Sequence, residues 1–343
     1  MALKVVHNSS TNPYFNVALD SWLVREAPPA DDYVMLWQNR PAVIIGRYQN
    51  THEEVNLDYA EAHDVAIVRR MSGGGAVYHD LGNLNFSLVV ATENRPFNDY
   101  QSFTRPVIEA LARYGVKAEL TGRNDVTLDG QKFSGNAQYR TSTRLLHHGT
   151  ILFDVDLEAV PKVLTVRQDK IQSKGIKSVR SRVTNIRPYL PKAVTFDDFR
   201  AALLDAIGEH NGGLAGELTL TAERIARVET LVAERFGQWD WNFGQSPPFN
   251  YRGRERFAKG DVEVLVEVAG GRIQAITIYG DFLGDHDIEP LTDALNGVEY
   301  SRAALLKALD PLPIERFLGG ITRDEFLKVL LDMEPIEGAQ NKV

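Results

Sequence analysis

The 343-residue sequence has no cysteine. That excludes disulfides, thiolate metal ligands and catalysis through a cysteine acyl-enzyme. It has no excess of basic residues either. The formal net charge is −8, which argues against general affinity for nucleic acid, because a phosphate backbone would be repelled. No apolar run is long enough to span a bilayer. The N-terminus, Met1-Ala2-Leu3-Lys4-Val5-Val6-His7, carries no apolar signal region. A cytoplasmic protein without a membrane partner is therefore expected. Internal repeats and low-complexity tracts are missing too. What remains is ordinary for a globular chain, 43% hydrophobic and 24% charged, and long enough for two domains.

The stretch richest in chemistry is Arg69-Arg70-Met71-Ser72-Gly73-Gly74-Gly75-Ala76-Val77-Tyr78-His79-Asp80. Three adjacent glycines offer backbone angles that other residues resist, and they leave N–H groups bare toward a ligand. Arginines before the loop and a histidine and aspartate after it suit a phosphate or acyl-phosphate. A glycine-rich hairpin turn is the plain alternative. The flanks, Ala66-Ile67-Val68 and Leu84 to Val90, both read as strands. A dinucleotide-binding loop or P-loop must open a helix, and no Gly-Lys-Ser or Gly-Lys-Thr follows, so the loop is of neither kind.

Asn12-Pro13 predicts a helix start, with Asn as the cap and Pro at the first helical position. Phe15, Ala18, Leu19, Trp22 and Leu23 then share one face. Tyr33 to Trp37 and Ala42 to Ile45 read as a strand pair around Gln38-Asn39-Arg40-Pro41. Helices are expected near Leu57 to His63, Tyr100 to Tyr114, Asp197 to Glu209 and Thr221 to Phe236. Asp129-Gly130, between Asp125 to Leu128 and Gln131 to Ser134, predicts a two-residue hairpin turn. Gly149 to Asp154 reads as a strand led by His147-His148. Beyond Pro161 the chain is basic, with Lys170, Lys174, Lys177, Arg180 and Arg182 among serines; a loop is expected, a solvated basic surface being its plain reading. Gly244-Gln245-Ser246-Pro247-Pro248 looks like a boundary. After it, Asp261 to Ala269 and Arg272 to Tyr279 form a hairpin through Gly270-Gly271, with Val262, Val264, Val266 and Val268 on one face. Three short helical patterns follow. The expected domains are thus 1–246 and 250–343, the second a small α+β unit with no chemical constellation of its own.

Four pieces concentrate polar groups: the glycine loop, Gly122-Arg123-Asn124-Asp125, Lys132-Phe133-Ser134-Gly135 and His147-His148-Gly149-Thr150. None has metal-ligand spacing, since adjacent histidines cannot imitate two histidines one helical turn apart. None is a Gly-x-Ser-x-Gly nucleophile elbow. A lone lysine on a strand is usually surface, but Lys132 shares its neighbourhood with Asn124, Asp125 and a Ser-Gly turn. In order, these pieces join Gly82-Asn83, Lys174-Gly175-Ile176, Ser178-Val179-Arg180-Ser181-Arg182-Val183-Thr184-Asn185 and Trp241-Asn242-Phe243-Gly244-Gln245. Together they make the sequence resemble the bacterial two-domain lipoate–protein ligases over nearly its whole length.

The resemblance implies an α+β protein: a mixed-sheet catalytic domain of the biotin/lipoate ligase type and a small C-terminal α+β accessory domain. It implies two steps. A lipoate carboxylate attacks the α-phosphate of ATP, giving lipoyl-AMP and pyrophosphate. A lysine amine of an apo-lipoyl domain, on a 2-oxoacid dehydrogenase E2 subunit or the glycine-cleavage H protein, then displaces AMP. On this resemblance Lys132 would bridge the carboxylate and the α-phosphate. Arg70, the backbone of Gly75, Ala76, Val77 and Tyr78, and Asn124 and Asp125 would hold ATP or the adenylate, as would Lys174, Ser178 and Arg180 from a loop folding over it. Ser72, Gly73, Gly74, His79, Ser134, Gly135, His148 and Gly149, with Lys132, would hold lipoate. Mg2+ is expected through the ATP phosphates, with Asp125 as the protein ligand considered. An apolar slot worth about 0.8 kcal/mol per methylene selects chain length only modestly, so octanoate is expected as a poorer substrate. Tyr78 and Asn136 depart from residues common in the family, and neither is expected to act chemically. Competing readings are an octanoyltransferase, whose frequent cysteine nucleophile is missing here, a transfer-only enzyme using preformed lipoyl-AMP, and a non-catalytic lipoate-binding or carrier-docking protein. A biotin ligase is disfavoured by the lack of a Gly-Arg-Gly-Arg motif.

Overall fold

The computed structural model describes residues 3–93, 95–165, 183–243 and 249–336. The chain forms two compact units. The first comprises Met1–Ile45, Thr51–Met71 and Ala76–Asn242; the second gathers Gly46–Asn50, Ser72–Gly75 and the chain from Phe243 onward. Lys174, Ser178, Arg180 and the boundary stretch 244–248 lie outside the described residues.

In the first unit the strands are β1 (Leu3–Val6), β2 (Asp32–Trp37), β3 (Ala42–Ile45), β4 (Ala66–Arg69), β5 (Val77–His79), β6 (Asn83–Ala91), β7 (Glu119–Thr121), β8 (Asp125–Leu128), β9 (Gln131–Arg140), β10 (Arg144–Leu152) and β11 (Leu214–Leu218). They make a mixed eight-stranded sheet in the order β11-β1-β2-β6-β10-β9-β8-β7 and a small sheet in the order β4-β3-β5. β1 runs parallel to β11 and β2, and β3 runs parallel to β4; the other pairs are antiparallel.

The large sheet is covered on both faces. Val34 and Leu36 of β2 join a core with Phe103, Val107 and Leu111 of the helix Tyr100–Ala112 and with Phe199, Leu203 and Ile207 of the helix Phe196–His210. Tyr33, Met35 and Trp37 point the other way, into a core with Ala18, Leu19, Trp22 and Leu23 of the helix Pro13–Arg25 and with Ile44 and Val68 of the small sheet. The start of Pro13–Arg25 is as its sequence implies: the Asn12 side chain accepts from the Tyr14 N–H.

Strands β2 and β3 do not pair with each other, contrary to the expected strand pair. β2 is buried from Tyr33 to Trp37, so it needs a central place, and it takes one between β1 and β6. β3 leaves to pair with β4 and β5. The helix expected over Thr221 to Phe236 is α-helical only over Ala222–Leu231 and continues as a π-turn over Val232–Phe236.

The second unit has its own antiparallel sheet: β12 (Tyr251–Phe257), β13 (Gly260–Ala269), β14 (Arg272–Gly280) and β15 (Glu334–Pro335), in the order β14-β13-β12-β15. Val262, Val264 and Val266 are fully buried under what are, among the described residues, four helices rather than three: Glu289–Leu295, Arg302–Leu309, Ile314–Phe317 and Arg323–Leu331. Pro313 separates the second from the third, a single turn too short to show periodicity.

Candidate active site

Lys132 owes its direction to an irregularity in its own strand. Thr127 pairs with Lys132 but Val126 pairs with Ser134, so Phe133 is an extra residue in β9. Phe133 is fully buried in the core that holds Val126 and Leu128. Strict alternation would put Lys132 on the face of Ser134 and Asn136; the bulge turns it to the face of Gly135. A Cβ on Gly135 would stand 2.8 Å from Lys132 Nζ, so the glycine leaves room for the ammonium to lie across the strand. Nζ is 2.8 Å from Asp125 Oδ1, and the two side chains are 35% and 39% exposed. An ion pair this wet opens at little cost. Ser134-Gly135 is part of the strand, not the turn expected. The chain re-enters the described residues at the same point: Val183 bridges to Lys132, and the Thr184 N–H donates to the Lys132 carbonyl at 2.9 Å.

Behind this face lies a buried polar network. The Asn136 N–H and Nδ2 both donate to the Asn124 carbonyl at 3.1 Å, and Nδ2 also donates to Ser134 Oγ at 3.2 Å. Gln138 Nε2 donates to His147 Nδ1 at 3.1 Å, so His147 Nε2 carries the proton and donates to Asn136 Oδ1 at 3.2 Å. Burial, with His148 nearby, holds the His147 ring far below the usual imidazole range, and it stacks on Phe103 at 4.6 Å. Asn136 thus seats Asn124, next to Asp125. Across the ladder stands Gly149, where a Cβ would come within 2.2 Å of Asn136 Oδ1 and 2.6 Å of the Phe86 ring. The Gly135 N–H donates to Thr150 Oγ1 at 3.2 Å.

His147 and His148 are adjacent on one strand, so they face opposite ways. His148 Nδ1 is 2.9 Å from Asp20 Oδ2, at 13% and 5% exposure. His79, at the end of β5, is buried and accepts at Nδ1 from Asn39 Nδ2, 3.0 Å away. Burial first, then Arg70 and His148, push its pKa down to about 3, so the ring is neutral. Arg70 is also buried; it donates to the Ile44 carbonyl at 3.0 Å, and desolvation lowers its pKa only to about 10, leaving it charged. Arg69 points elsewhere. It donates to the Trp241 carbonyl and Thr51 Oγ1 at 2.8 Å, and its N–H donates to Asn242 Oδ1 at 2.8 Å. The Trp241-Asn242 piece thus anchors the arginine that precedes the glycine loop.

The glycine stretch itself divides. Ala76, Val77 and Tyr78 belong to the first unit, Val77 and Tyr78 pairing with Ile44 and Val43, whereas Ser72, Gly73, Gly74 and Gly75 belong to the second. There the Arg47 N–H donates to the Ser72 carbonyl at 2.9 Å. Only Gly74 of the three glycines has a positive φ, 90°. Gly73 is needed for close approach, since a Cβ would lie 2.3 Å from the Phe282 carbonyl oxygen; at Gly75 a Cβ would meet nothing. The expectation that all three supply unusual backbone angles is corrected accordingly.

Asp20, Asn16 and Asn39 escaped the sequence reading. The available signal was the pair Asn16 and Asp20, polar residues one turn apart and both buried on the helix Pro13–Arg25. Among the described residues no cluster of three histidines or acids could hold a metal.

Residues 12–208 match the family model described as the lipoyl protein ligase A/B catalytic domain, and residues 246–330 match that of the bacterial lipoate protein ligase C-terminus. A lipoate-protein ligase of Bacillus subtilis, LplJ, is 41% identical over 327 residues, covering 95% of this chain and 99% of the relative. The chain belongs to the lipoate–protein ligase family. Solved structures agree with a ligase fold. LipL1 of P. falciparum in complex with lipoate superimposes with a TM-score of 0.76 at 25% identity, covering 96% of this chain and 98% of that one. A lipoate-protein ligase A bound with ATP gives 0.63 at 26%, covering 71% and 99%. No described helix is long and apolar enough to cross a membrane.

Proposed function

We propose that this ligase activates lipoate with ATP in the domain of residues 1–246 and passes the acyl group to a lysine of a carrier domain, residues 250–343 being accessory. The observation that carries the reading is the Lys132 ammonium, held across Gly135 by a bulge, partly exposed and 2.8 Å from one carboxylate that an incoming anion can replace. A lipoate carboxylate and an α-phosphate repel each other, and a fixed cation between them stabilises charge as it moves from the attacking oxygen to pyrophosphate. In the first step a carboxylate oxygen bonds to the α-phosphorus and the bond to pyrophosphate breaks. In the second, a carrier lysine's amine attacks the acyl carbon, AMP leaves, and the amine releases a proton. Neither step needs an acyl-enzyme, and the chain has no cysteine to form one. Positioning and electrostatics then supply most of the rate.

Arg70, the backbone of Gly75 to Tyr78, Asn124 and Asp125 are assigned to the nucleotide; Ser72, Gly73, Gly74, His79, Ser134, Gly135, His148 and Gly149 are assigned to lipoate. Mg2+ fits as a companion of the phosphates rather than a resident ion, because Asp125 offers a single partly exposed carboxylate. Held there, it would neutralise phosphate charge. The acceptors that suit this chemistry are apo-lipoyl domains of 2-oxoacid dehydrogenase E2 subunits and the glycine-cleavage H protein.

Incubation with lipoate, ATP and Mg2+ without a carrier should release pyrophosphate and leave lipoyl-AMP. Adding an apo-lipoyl domain should consume the adenylate and release AMP. Transfer from synthetic lipoyl-AMP without any pyrophosphate release would make the protein a transfer-only enzyme instead.

A further inference from the structure

A line of neutral hydrogen bonds runs beneath Asn124 and Asp125, and backbone groups at its two ends decide every donor in it. The Asn98 N–H can only donate, so the atom of Gln138 that it meets at 2.8 Å is the amide oxygen. The Gln138 nitrogen therefore faces His147 Nδ1 at 3.1 Å, and the ring carries its hydrogen at Nε2. That hydrogen goes to Asn136 Oδ1, 3.2 Å away. Asn136 Nδ2 is left for the Asn124 carbonyl, a group that can only accept. Read from either end, the polarity is the same. A ring protonated on both nitrogens would set a donor against the Gln138 nitrogen. Turning that amide over would set its NH2 against the Asn98 N–H.

The line is sealed. His147 is fully buried, and Asn136 and Gln138 nearly so. Phe103, Phe86 and Tyr100 surround the ring at centroid separations of 4.6, 5.7 and 5.9 Å. Apolar side chains of the same shape would fill this space with no polar group to satisfy, so stability alone does not call for the line. What it ends on does. Asn124 lies just before β8, in the last hairpin of the large sheet, where β7 and β8 meet through three residue pairs. On its inner side, the bulge at Phe133 interrupts the register of β8 with β9. Against that slight frame Asn136 clasps Asn124 in both directions. Its N–H and Nδ2 donate to the Asn124 carbonyl, and its own carbonyl accepts from Asn124 Nδ2. The next residue, Asp125, meets the Lys132 ammonium at 2.8 Å.

We infer that His147 is a positioning residue for adenylation: its Nε2–H fixes the Asn136 amide, which holds Asn124 and Asp125 where Lys132 is to meet the acid and the nucleotide. The inference rests on the assignment of Lys132, Asn124 and Asp125 to that step. His147 itself touches no substrate; it acts through Asn136.

The test uses the full chain, and two amides tell the ring nitrogens apart. In His147→Gln the side-chain amide reaches as far as Nε2 did and still donates to Asn136. In His147→Asn it reaches only as far as Nδ1. Both lose the ring stacked on Phe103, so a merely structural role would penalise both. The kcat of pyrophosphate release at saturating lipoate and ATP, per folded protein, should fall about tenfold to a hundredfold in His147→Asn. In His147→Gln it should stay within about threefold of the unaltered protein. Asn136→Asp, nearly isosteric, keeps the acceptor for Nε2–H but sets an oxygen against the Asn124 carbonyl, and should fall as far as His147→Asn. In 15N-labelled protein, long-range imidazole spectra should show the Nε2–H tautomer of His147. The Asn136 N–H should exchange slowly with deuterium in the unaltered protein and in His147→Gln, and faster in the other two variants. Equal losses of kcat in His147→Gln and His147→Asn, or an undiminished kcat in Asn136→Asp, would overturn the inference. Should a variant not fold, the unaltered protein still decides: an Nδ1–H tautomer, a charged ring or a freely exchanging Asn136 N–H overturns it. Absence of pyrophosphate release from the unaltered protein would instead sink the ligase reading itself.

Discussion

Lys132→Met separates chemistry from stability more cleanly than any other change. The Lys132–Asp125 pair is 2.8 Å long, but its side chains are 35% and 39% exposed. Pairs that wet contribute about 0–1 kcal/mol, so the variant should unfold in urea within about 1 kcal/mol of the unaltered protein. A double-mutant cycle with Asp125→Asn should give a coupling no larger than that. Methionine keeps most of the stem, and Phe133, which fills the core at the bulge, is untouched. The rate is a different matter. Losing one preorganised donor to a developing anion costs about 3–4 kcal/mol, so adenylation should fall roughly 100- to 1,000-fold. Pyrophosphate release with saturating lipoate and ATP measures it. A fall of less than about tenfold would refute the assignment, since a mere surface lysine behaves that way. Loss of folding would refute the stability half of the argument.

Other outcomes follow from the same geometry. Gly135→Ala places a Cβ 2.8 Å from Lys132 Nζ and 2.9 Å from Cε, both on the movable end of the side chain, so the urea midpoint should barely change. A displaced ammonium should still slow adenylation by about tenfold to a hundredfold. Gly149→Ala meets the fixed Asn136 amide at 2.2 Å and the Phe86 ring at 2.6 Å, and should lose about 1–3 kcal/mol of stability by urea unfolding. For pH, His79 is held neutral with a pKa of about 3 against 6.5 unfolded, and His147 is lowered too. The unfolded chain therefore binds more protons in acid. Stability should be full above about pH 6.5 and fall toward pH 3, by about 1.4 kcal/mol per pH unit for His79 alone. Urea titrations at pH 7 and pH 5 check the sign, and a rise in stability on acidification across that window would contradict it.

Much of this was legible in local residues and much was not. The Asn12 cap, the Asp129-Gly130 turn, with φ of 50° and 76°, and the β13–β14 hairpin lie in short stretches whose residue types dictate their backbone. The partners of β2 and β3 could not be read that way, because pairing depends on which faces other segments leave uncovered. The bulge at Phe133 was equally hidden. Phe133 must enter the core and Lys132 must not, and only the register with β8 reveals that one residue too many separates them. The support of the site came from far away in sequence: Asp20 reaches His148, Asn39 reaches His79, and Asn242 reaches Arg69. The first two join a recognisable piece to a residue outside every motif, and the third joins two such pieces to each other.

The distribution of charge explains why an acid with an apolar tail should enter in one direction only. A full ammonium is kept where water still reaches it, at Lys132, and burying it would have taken several kcal/mol of hydration. Deeper in, His79 and His147 are neutral, because burial penalises an imidazolium, to which Arg70 and His148 add at His79 and His148 adds at His147. The region around His79 offers apolar surface and neutral rings, and its buried cation, Arg70, is already engaged, donating to the Ile44 carbonyl at 3.0 Å. A carboxylate driven into it would lose its water and would have to displace partners that Arg70 already holds. The same acid reversed finds the ammonium at the wet end and apolar contacts at the dry one. On the proposed assignment, orientation is set by the cost of desolvation, which leaves the reacting carboxylate at Lys132, where a phosphate can stand beside it.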